Sequence, residues 1–243
     1  MSPIAHQTAL VTGANRGLGL ALVRQLLARG DRAVATCRQP GRATALNALA
    51  GEHPGHLHVL PLDVAQARSR AELVRELPLA LEGGRDGAAP RIDLLVNNAG
   101  VLHAGERFGH LDQAQLEDSL RVNAVGPFLL TEALAPVLAD GARVANVSSV
   151  MGSIAGRGEF RSPGYCASKA TLNMLTVQLA HALAPRGILV LALHPGWVRT
   201  DMGGASAEVA PEAAAAGLLA VIDGATPAQS GGFLDWRGQP LPW

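Results

Sequence analysis

The sequence predicts an α/β fold: one doubly wound domain over residues 1–243, about seven parallel strands with helices on both faces. Three observations predict it. Short β-type runs alternate with longer helical stretches, the pattern of repeated βαβ units. Those runs are continuously apolar, as strands covered on both faces must be. And 243 residues, 48% of them hydrophobic, can form one large core without staples. Formal charges cancel, 20 Lys+Arg against 20 Asp+Glu, so no basic stripe points to nucleic acid and no acidic run to a disordered tail.

The first strand is "TALVT" (8–12). The glycine-rich "TGANRGLG" follows it and opens a helix whose Leu18, Leu22, Leu26 and Arg29 fall on one turn-spaced row. Gly13, Gly17 and Gly19 let backbone approach a pyrophosphate closely, and the helix N-terminus offers free N–H groups and the positive end of a dipole. A glycine turn needed only for packing would look alike, but the strand-to-helix position at the head of a βαβ series favours dinucleotide binding. The second strand, "RAVATC" (32–37), ends where a carboxylate would grip an NAD ribose. Cys37 stands there instead, followed by Arg38. No carboxylate repels a 2′-phosphate, and Arg16 and Arg38 are placed to pair with one, which favours NADPH/NADP over NAD. The alternative is that both arginines are solvated surface residues.

Strands three to five are "LHVLPL" (57–62), "DLLVNN" (93–98) and "RVANVSS" (143–149), with "EGGRDGAAP" (82–90) a polar turn before the fourth. His53, His56 and His58 approach the third strand on a loop with no carboxylate or cysteine nearby, so no metal is expected. "NVSS" puts Ser148 and Ser149 at the C-terminal end of a parallel strand, where side chains meet ligands and a hydroxyl can donate to a carbonyl oxygen. Two adjacent serines there could equally be turn residues. A helix carrying Leu172, Leu175, Leu179 and Leu183 on one row leads to "LVLALH" (189–194), and "GGFLDW" (231–236) supplies the seventh strand.

That last long helix contains "YCASK" (165–169). Tyr165 is the single tyrosine of the chain and Lys169 its single lysine, among 20 Lys+Arg. A spacing of four puts both on one helix face. A cation about 5 Å from a phenol, at an effective dielectric near 20, favours phenolate by about 3 kcal/mol, or on the order of two pKa units. That would bring the phenol towards neutrality, where it serves as general acid or base. Arginine would supply the charge but not a compact ammonium able to hold two ribose hydroxyls beside the phenol.

The two cysteines, Cys37 and Cys166, show no CxxC spacing and read as free thiols of a reducing compartment. "MSPIAHQTALVTG" lacks the basic start and long apolar core of a signal peptide, and the longest apolar runs are too short for a bilayer. A soluble, cytoplasmic protein with no membrane partner is the expectation. Alanine-rich apolar helices fit a homo-oligomer, dimer or tetramer, and fit simple packing onto the sheet as well.

With these pieces in place the chain resembles the short-chain dehydrogenase/reductase family. The matching motifs are "TGANRGLG" (12–19), "LDV" (62–64), "NNAG" (97–100), Asn123 in "RVNAVGP", "NVSS", "YCASK" and "HPGWVRTDM" (194–202), in family order across nearly the whole chain. "HPGWVRTDMGG" and the ending "GGFLDWRGQPLPW" are similar to the sniffer-type carbonyl reductase subgroup. The resemblance implies a Rossmann-type domain and an oxidoreductase acting on a small carbonyl or alcohol substrate. It implies that Gly13, Asn15, Arg16, Gly17, Leu18 and Gly19 cradle the cofactor, that Arg38 meets its phosphate, and that Asp63 and Val64 hold the adenine. Asn97, Ala99 and Gly100 would line it, and Pro195, Val198 and Thr200 would cover the nicotinamide. Asn123 would anchor a water relay, Ser149, with Ser148 beside it, would polarise the carbonyl, Tyr165 would donate the proton, and Lys169 would lower the phenol pKa and hold the ribose.

Sixteen positions separate Ser149 from Tyr165, somewhat more than the family commonly has, and the extra residues fall in "AGRGEFRSPG" (155–164). Loops near 151–164 and 196–210 are the expected substrate loops, with His103, Met151, Ile154, Phe160 and Trp197 as wall residues. Two rival readings are a dinucleotide-binding regulatory protein without turnover and a sugar epimerase or dehydratase. The first has no need of an intact Ser–Tyr–Lys–Asn set. The second usually needs a larger C-terminal lobe than the forty or so residues after "HPGWVRTDM".

Overall fold

A computed structural model describes residues 7–81 and 91–243; the turn expected at 82–90 lies outside the described residues. The strands are β1 (Thr8–Thr12), β2 (Arg32–Cys37), β3 (Leu57–Pro61), β4 (Ile92–Asn97), β5 (Leu138–Val147), β6 (Leu189–His194) and β7 (Phe233–Asp235). The helices are α1 (Gly17–Ala28), α2 (Thr44–Glu52), α3 (Ala67–Ala80), α4 (Gln113–Leu120), α5 (Gly126–Leu134), α6 (Pro163–Leu183) and α7 (Pro211–Asp223). One seven-stranded sheet runs in the order β3-β2-β1-β4-β5-β6-β7, parallel at every pairing.

Alternation along each strand divides the core into two layers. In β1, Ala9 and Val11 join Leu22 and Leu26 of α1, Leu46 of α2 and Leu218 of α7. Leu10 points the other way, to Leu73 and Leu77 of α3, Leu130 of α5 and Leu179 of α6. Each of these leucines contributes about 1.5–3 kcal/mol by leaving water. The order of strands reverses between β1 and β4, which opens a crevice at their carboxyl ends, where ligands of such sheets bind.

Two bounds differ from the sequence reading in ways that matter. β5 begins at Leu138, paired with Ile92, and its register shifts before Leu94 pairs with Arg143. The apolar run marks only its second half, because Asp140 and Gly141 are exposed at the irregularity. β5 also stops at Val147, so Ser148 and Ser149 lie just past the ladder. In the α1 row, Leu18, Leu22 and Leu26 are buried, but Arg29 is the C-cap and pairs with Asp31 and Asp223.

Candidate active site

The glycine turn leaves β1 through Gly13 at φ 64° and enters α1 through Gly17 at φ 54°, a left-handed region that disfavours any side chain. A Cβ at Gly19 would lie 2.5 Å from the Gly13 carbonyl oxygen, so this residue serves the packing of helix on turn. α1 has no side-chain cap and no acidic residue in its first turn, which leaves its positive end free for an anion. Leu18 is buried in the core, Asn15 and Arg16 are exposed.

The turn is held by a residue the sequence reading passed over. Asn98 Nδ2 donates to the carbonyls of Thr12 at 2.8 Å and Gly13 at 3.1 Å, while Thr12 Oγ1 accepts from the N–H groups of Asn98 and Ala99, both at 3.0 Å. Asn97 faces the opposite way. Its buried amide donates to Thr131 Oγ1 at 3.1 Å and to Asn146 Oδ1 at 2.8 Å, and so braces β4 against α5 and β5. Strand alternation sends neighbouring side chains to opposite faces, and that was the available signal.

Arg38 is exposed at the end of β2, beside the buried Cys37, and makes no ion pair or side-chain hydrogen bond with the described residues. Arg16 differs from the expectation: its guanidinium is 2.5 Å from Asp201, in the loop after β6. Asp63 lies two residues past β3, its Oδ1 accepting from Ala65 N at 3.0 Å, and the Val64 carbonyl accepts from Arg70 at 2.7 Å. Val198 is buried, and Thr200 packs its methyl group where a Cβ at Gly17 would lie 3.1 Å away. The residues present therefore fit a dinucleotide phosphate: an uncapped helix start, glycines at positive φ, and a free cation without a competing carboxylate at Cys37.

The catalytic candidates gather at the carboxyl end of β5. Ser148 turns inward, donating to Asn173 Oδ1 at 2.5 Å. Ser149 lies near enough to the Tyr165 phenol to favour its ionised form, with Met151 N donating to its Oγ at 3.1 Å. Lys169 is 4% exposed; its Nζ donates to the Val147 carbonyl at 2.7 Å and sits 5.5 Å from the centre of the Tyr165 ring. A Cβ at Gly152 would lie 2.7 Å from Lys169 carbonyl carbon, so only glycine lets the 150–152 turn rest on α6 here.

Asn123 lies in a π-helical turn, Arg121–Val125, between α4 and α5; such irregular turns are frequent at functional sites. Both ends of its amide are engaged. Oδ1 accepts from Val101 N at 2.8 Å, and Nδ2 donates to Val101 O at 2.8 Å and Ser168 Oγ at 3.0 Å. Ser168 in turn donates to the Tyr165 carbonyl at 2.7 Å. A Cβ at Gly100 would lie 3.2 Å from Asn123 Oδ1 and 3.9 Å from Lys169 Nζ, so the loop passes between the two.

The electrostatics correct one expectation. Burial pushes the Tyr165 phenol up to about 12, against the nearby Ser149 hydroxyl that pulls it down. Burial alone pushes Lys169 down to about 8. The Coulomb reckoning counted the cation and left out the loss of water around both groups, which here is the larger effect. The phenol is thus held neutral, and the ammonium is made a stronger acid.

Of the expected wall residues, His103 pairs with Asp118 at 3.1 Å. Met151 and Ile154 line a cavity of about 190 Å³ with Arg157, Cys166 and Ala170, beside α6. Neither Ser149 nor Tyr165 lines it.

The family model described as short chain dehydrogenase matches residues 7–210. The chain belongs to this family. C-signal of Myxococcus xanthus is 42% identical over 154 residues, 63% of this chain and 93% of that one. The 1-hydroxy-2-glutathionyl-2-methyl-3-butene dehydrogenase of Rhodococcus sp. is 35% identical over 97% of this chain and 99% of its own. Among solved structures, the NADPH-bound carbonyl reductase from chicken fatty liver superposes with a TM-score of 0.90 at 34% identity, covering 99% of this chain and 100% of that one. The carbonyl reductase Sniffer of D. melanogaster gives 0.91 at 32%, covering 98% and 100%. The family and the sniffer-type likeness read from the motifs agree with these matches, and the protein is an oxidoreductase of the short-chain type. No described helix is long and apolar enough to cross a membrane.

Proposed function

We propose that this enzyme reduces a small carbonyl compound with NADPH, or oxidises the matching secondary alcohol. The observation that carries the reading is the Lys169 ammonium 5.5 Å from the centre of the Tyr165 ring, with Ser149 beside the phenol, at the crevice end of β5. The glycine turn 13–19, Arg38, Asp63, Val64, the 97–100 segment, Lys169 and the loop of Pro195, Val198 and Thr200 would hold NADPH, which would supply the hydride when bound. Ser149 donates to the carbonyl oxygen as negative charge develops there. Tyr165, neutral throughout the physiological range, gives that oxygen its proton. Lys169, at about 8, is a stronger acid than the phenol at about 12, so the proton that restores Tyr165 passes downhill from the ammonium. With both amide ends of Asn123 engaged, a water relay there would use its main chain.

The 151–164 and 196–210 loops face the substrate in this reading, and cofactor and fold carry the chemistry while loops choose the carbonyl. A second reading is a dinucleotide-binding regulatory protein without turnover, favoured by the likeness to C-signal, which is named as a signal and not as an enzyme. Val125 and Met174, exposed apolar residues on elements that pack together, support a homo-oligomer, to be read by light scattering on the purified protein. The test of function is NADPH and NADH oxidation over aldehydes, quinones, diketones and ketosteroids. Turnover of at least one carbonyl with NADPH preferred is the expected result. No turnover of any, with NADPH still bound, moves the conclusion to the second reading.

A further inference from the structure

The catalytic helix α6 begins in an unusual way. Its N-cap, Ser162, has φ 44° and ψ 57° and makes no side-chain cap bond; it is the one non-glycine residue at positive φ among the described residues. Pro163 at the first helical position has no N–H to satisfy. The first helix donor is therefore Gly164 N–H, one residue before Tyr165, and it donates to Glu106 Oε2 at 3.1 Å. Glu106 lies 58 residues earlier, in the loop between β4 and α4, and is part-buried while its neighbours Gly105 and Arg107 are exposed. Its carboxylate sits at the positive end of the α6 dipole, where a negative charge is favoured.

Two further observations show the contact is built rather than incidental. A Cβ at Gly164 would stand 2.3 Å from Glu106 Oε1, so glycine is what lets the carboxylate reach the amide. The same loop is also held at Val101 by Asn123, and its Phe108 meets Phe160 edge to face, ring centres 5.8 Å apart. Phe160 belongs to the segment that leads into Ser162. The loop thus grips the start of α6 on both sides of the strained residue.

We infer that Glu106 is a positioning residue: it caps α6 from the 101–112 loop and fixes the placement of Tyr165 against Ser149. The inference rests on the reading of Tyr165 as proton donor. Without the cap the first turn of α6 loses its bond to the 101–112 loop and starts from Ser162, in a conformation that L-residues disfavour, and the phenol spends less time in line with Ser149. Most of the proposed cofactor contacts, on the glycine turn and at the end of β2, lie outside α6, so NADPH affinity should change little.

The test compares Glu106→Ala, Glu106→Gln, Gly164→Ala and the Glu106→Ala/Gly164→Ala double variant. The measurements are kcat and KM for an accepted carbonyl, Kd for NADPH, and amide hydrogen exchange over residues 164–166. Glu106→Ala and Gly164→Ala should each lower kcat by about fivefold to thirtyfold, the scale of losing a helix cap, with Kd for NADPH within about twofold of wild type. The double variant should be no worse than either single one, because both remove the same bond. Glu106→Gln should recover to within about threefold of wild type, since its amide oxygen still accepts from Gly164. Exchange at 164–166 should quicken in the alanine variants. Gly164→Ala keeps the test sound if Glu106→Ala fails to fold, because alanine is the better helix former. An unchanged kcat in Glu106→Ala, losses that multiply in the double variant, a glutamine variant as poor as the alanine one, or unchanged exchange overturns the inference. If wild type reduces no carbonyl, the functional reading fails on its own, and exchange still decides whether the cap exists.

Discussion

Ser148 and Ser149 are adjacent and chemically identical, yet the backbone gives them opposite work. Ser148 is buried on Asn173, and Ser149 meets the phenol. Ser149→Ala should lower kcat by about a hundredfold, the scale of losing one donor to a developing oxyanion. Ser148→Ala should instead cost about 1–3 kcal/mol of stability, because it strands the buried amide of Asn173, with kcat within a few fold. Steady-state kinetics and urea unfolding on the two variants check the split, and equal kinetic losses would contradict it. Lys169 carries a second residue-scale prediction. Its pKa falls from 10.5 to about 8 on folding. Between those values the unfolded chain binds more protons than the folded one, so this group's contribution makes stability rise with pH across that window. Below about 8 the penalty for burying the ammonium is present in full. Lys169→Met should therefore be inactive, and its stability relative to wild type should drop by about 2 kcal/mol between pH 7 and pH 10. Urea unfolding at the two values reads this directly. A difference independent of pH would mean that folding does not lower the Lys169 pKa. Lys169→Arg keeps charge but not shape, and severe loss of rate with weaker cofactor binding is expected. Retention of more than about half the activity would make the single lysine an accident of composition.

At the scale of elements, the glycine turn and the end of β2 decide which dinucleotide is preferred. Arg38 has no competing partner, whereas Arg16 is held by Asp201 at 2.5 Å and must exchange that carboxylate for a phosphate. Arg38→Ala should therefore reduce the NADPH preference more than Arg16→Ala, by about tenfold or less given its exposure. Cys37→Asp should reduce it further by repelling a 2′-phosphate. The preference should shrink with salt, since exposed pairs are screened. Cofactor titrations at low and moderate salt measure all three, and an Arg38→Ala protein with unchanged preference would mean the phosphate is held elsewhere. The elements were legible because their signals are local: apolar runs gave six of seven strands at or within a few residues of their ends, and leucine rows gave α1 and α6. The first half of β5 was not legible, since Asp140 and Gly141 interrupt the apolar pattern where the register shifts. Asn98 could have been found from alternation. Glu106 could not, because no local signal joins two residues 58 positions apart.

For the whole molecule, the sheet order brings the ends of β1, β4, β5 and β6 to one crevice. Tyr165 and Lys169, read from their spacing, and Ser149, implied by the family resemblance, lie together there. What spacing missed was the environment: burial reverses the expected direction of the Tyr165 shift. This changes the account of the acid rather than removing it, since a phenol near 12 is fully protonated when reduction needs its proton. Rate of reduction should thus show no acid-side loss from Tyr165 and should decline as pH rises through about 8, where Lys169 ceases to be charged. The central claim is that a neutral Tyr165 supplies that proton. The measurement that tests it most directly is kcat for NADPH-dependent reduction of an accepted carbonyl by Tyr165→Phe, alongside its NADPH Kd. The account predicts a loss of at least about a hundredfold in kcat with Kd within a few fold, and near wild-type turnover in that variant would contradict it.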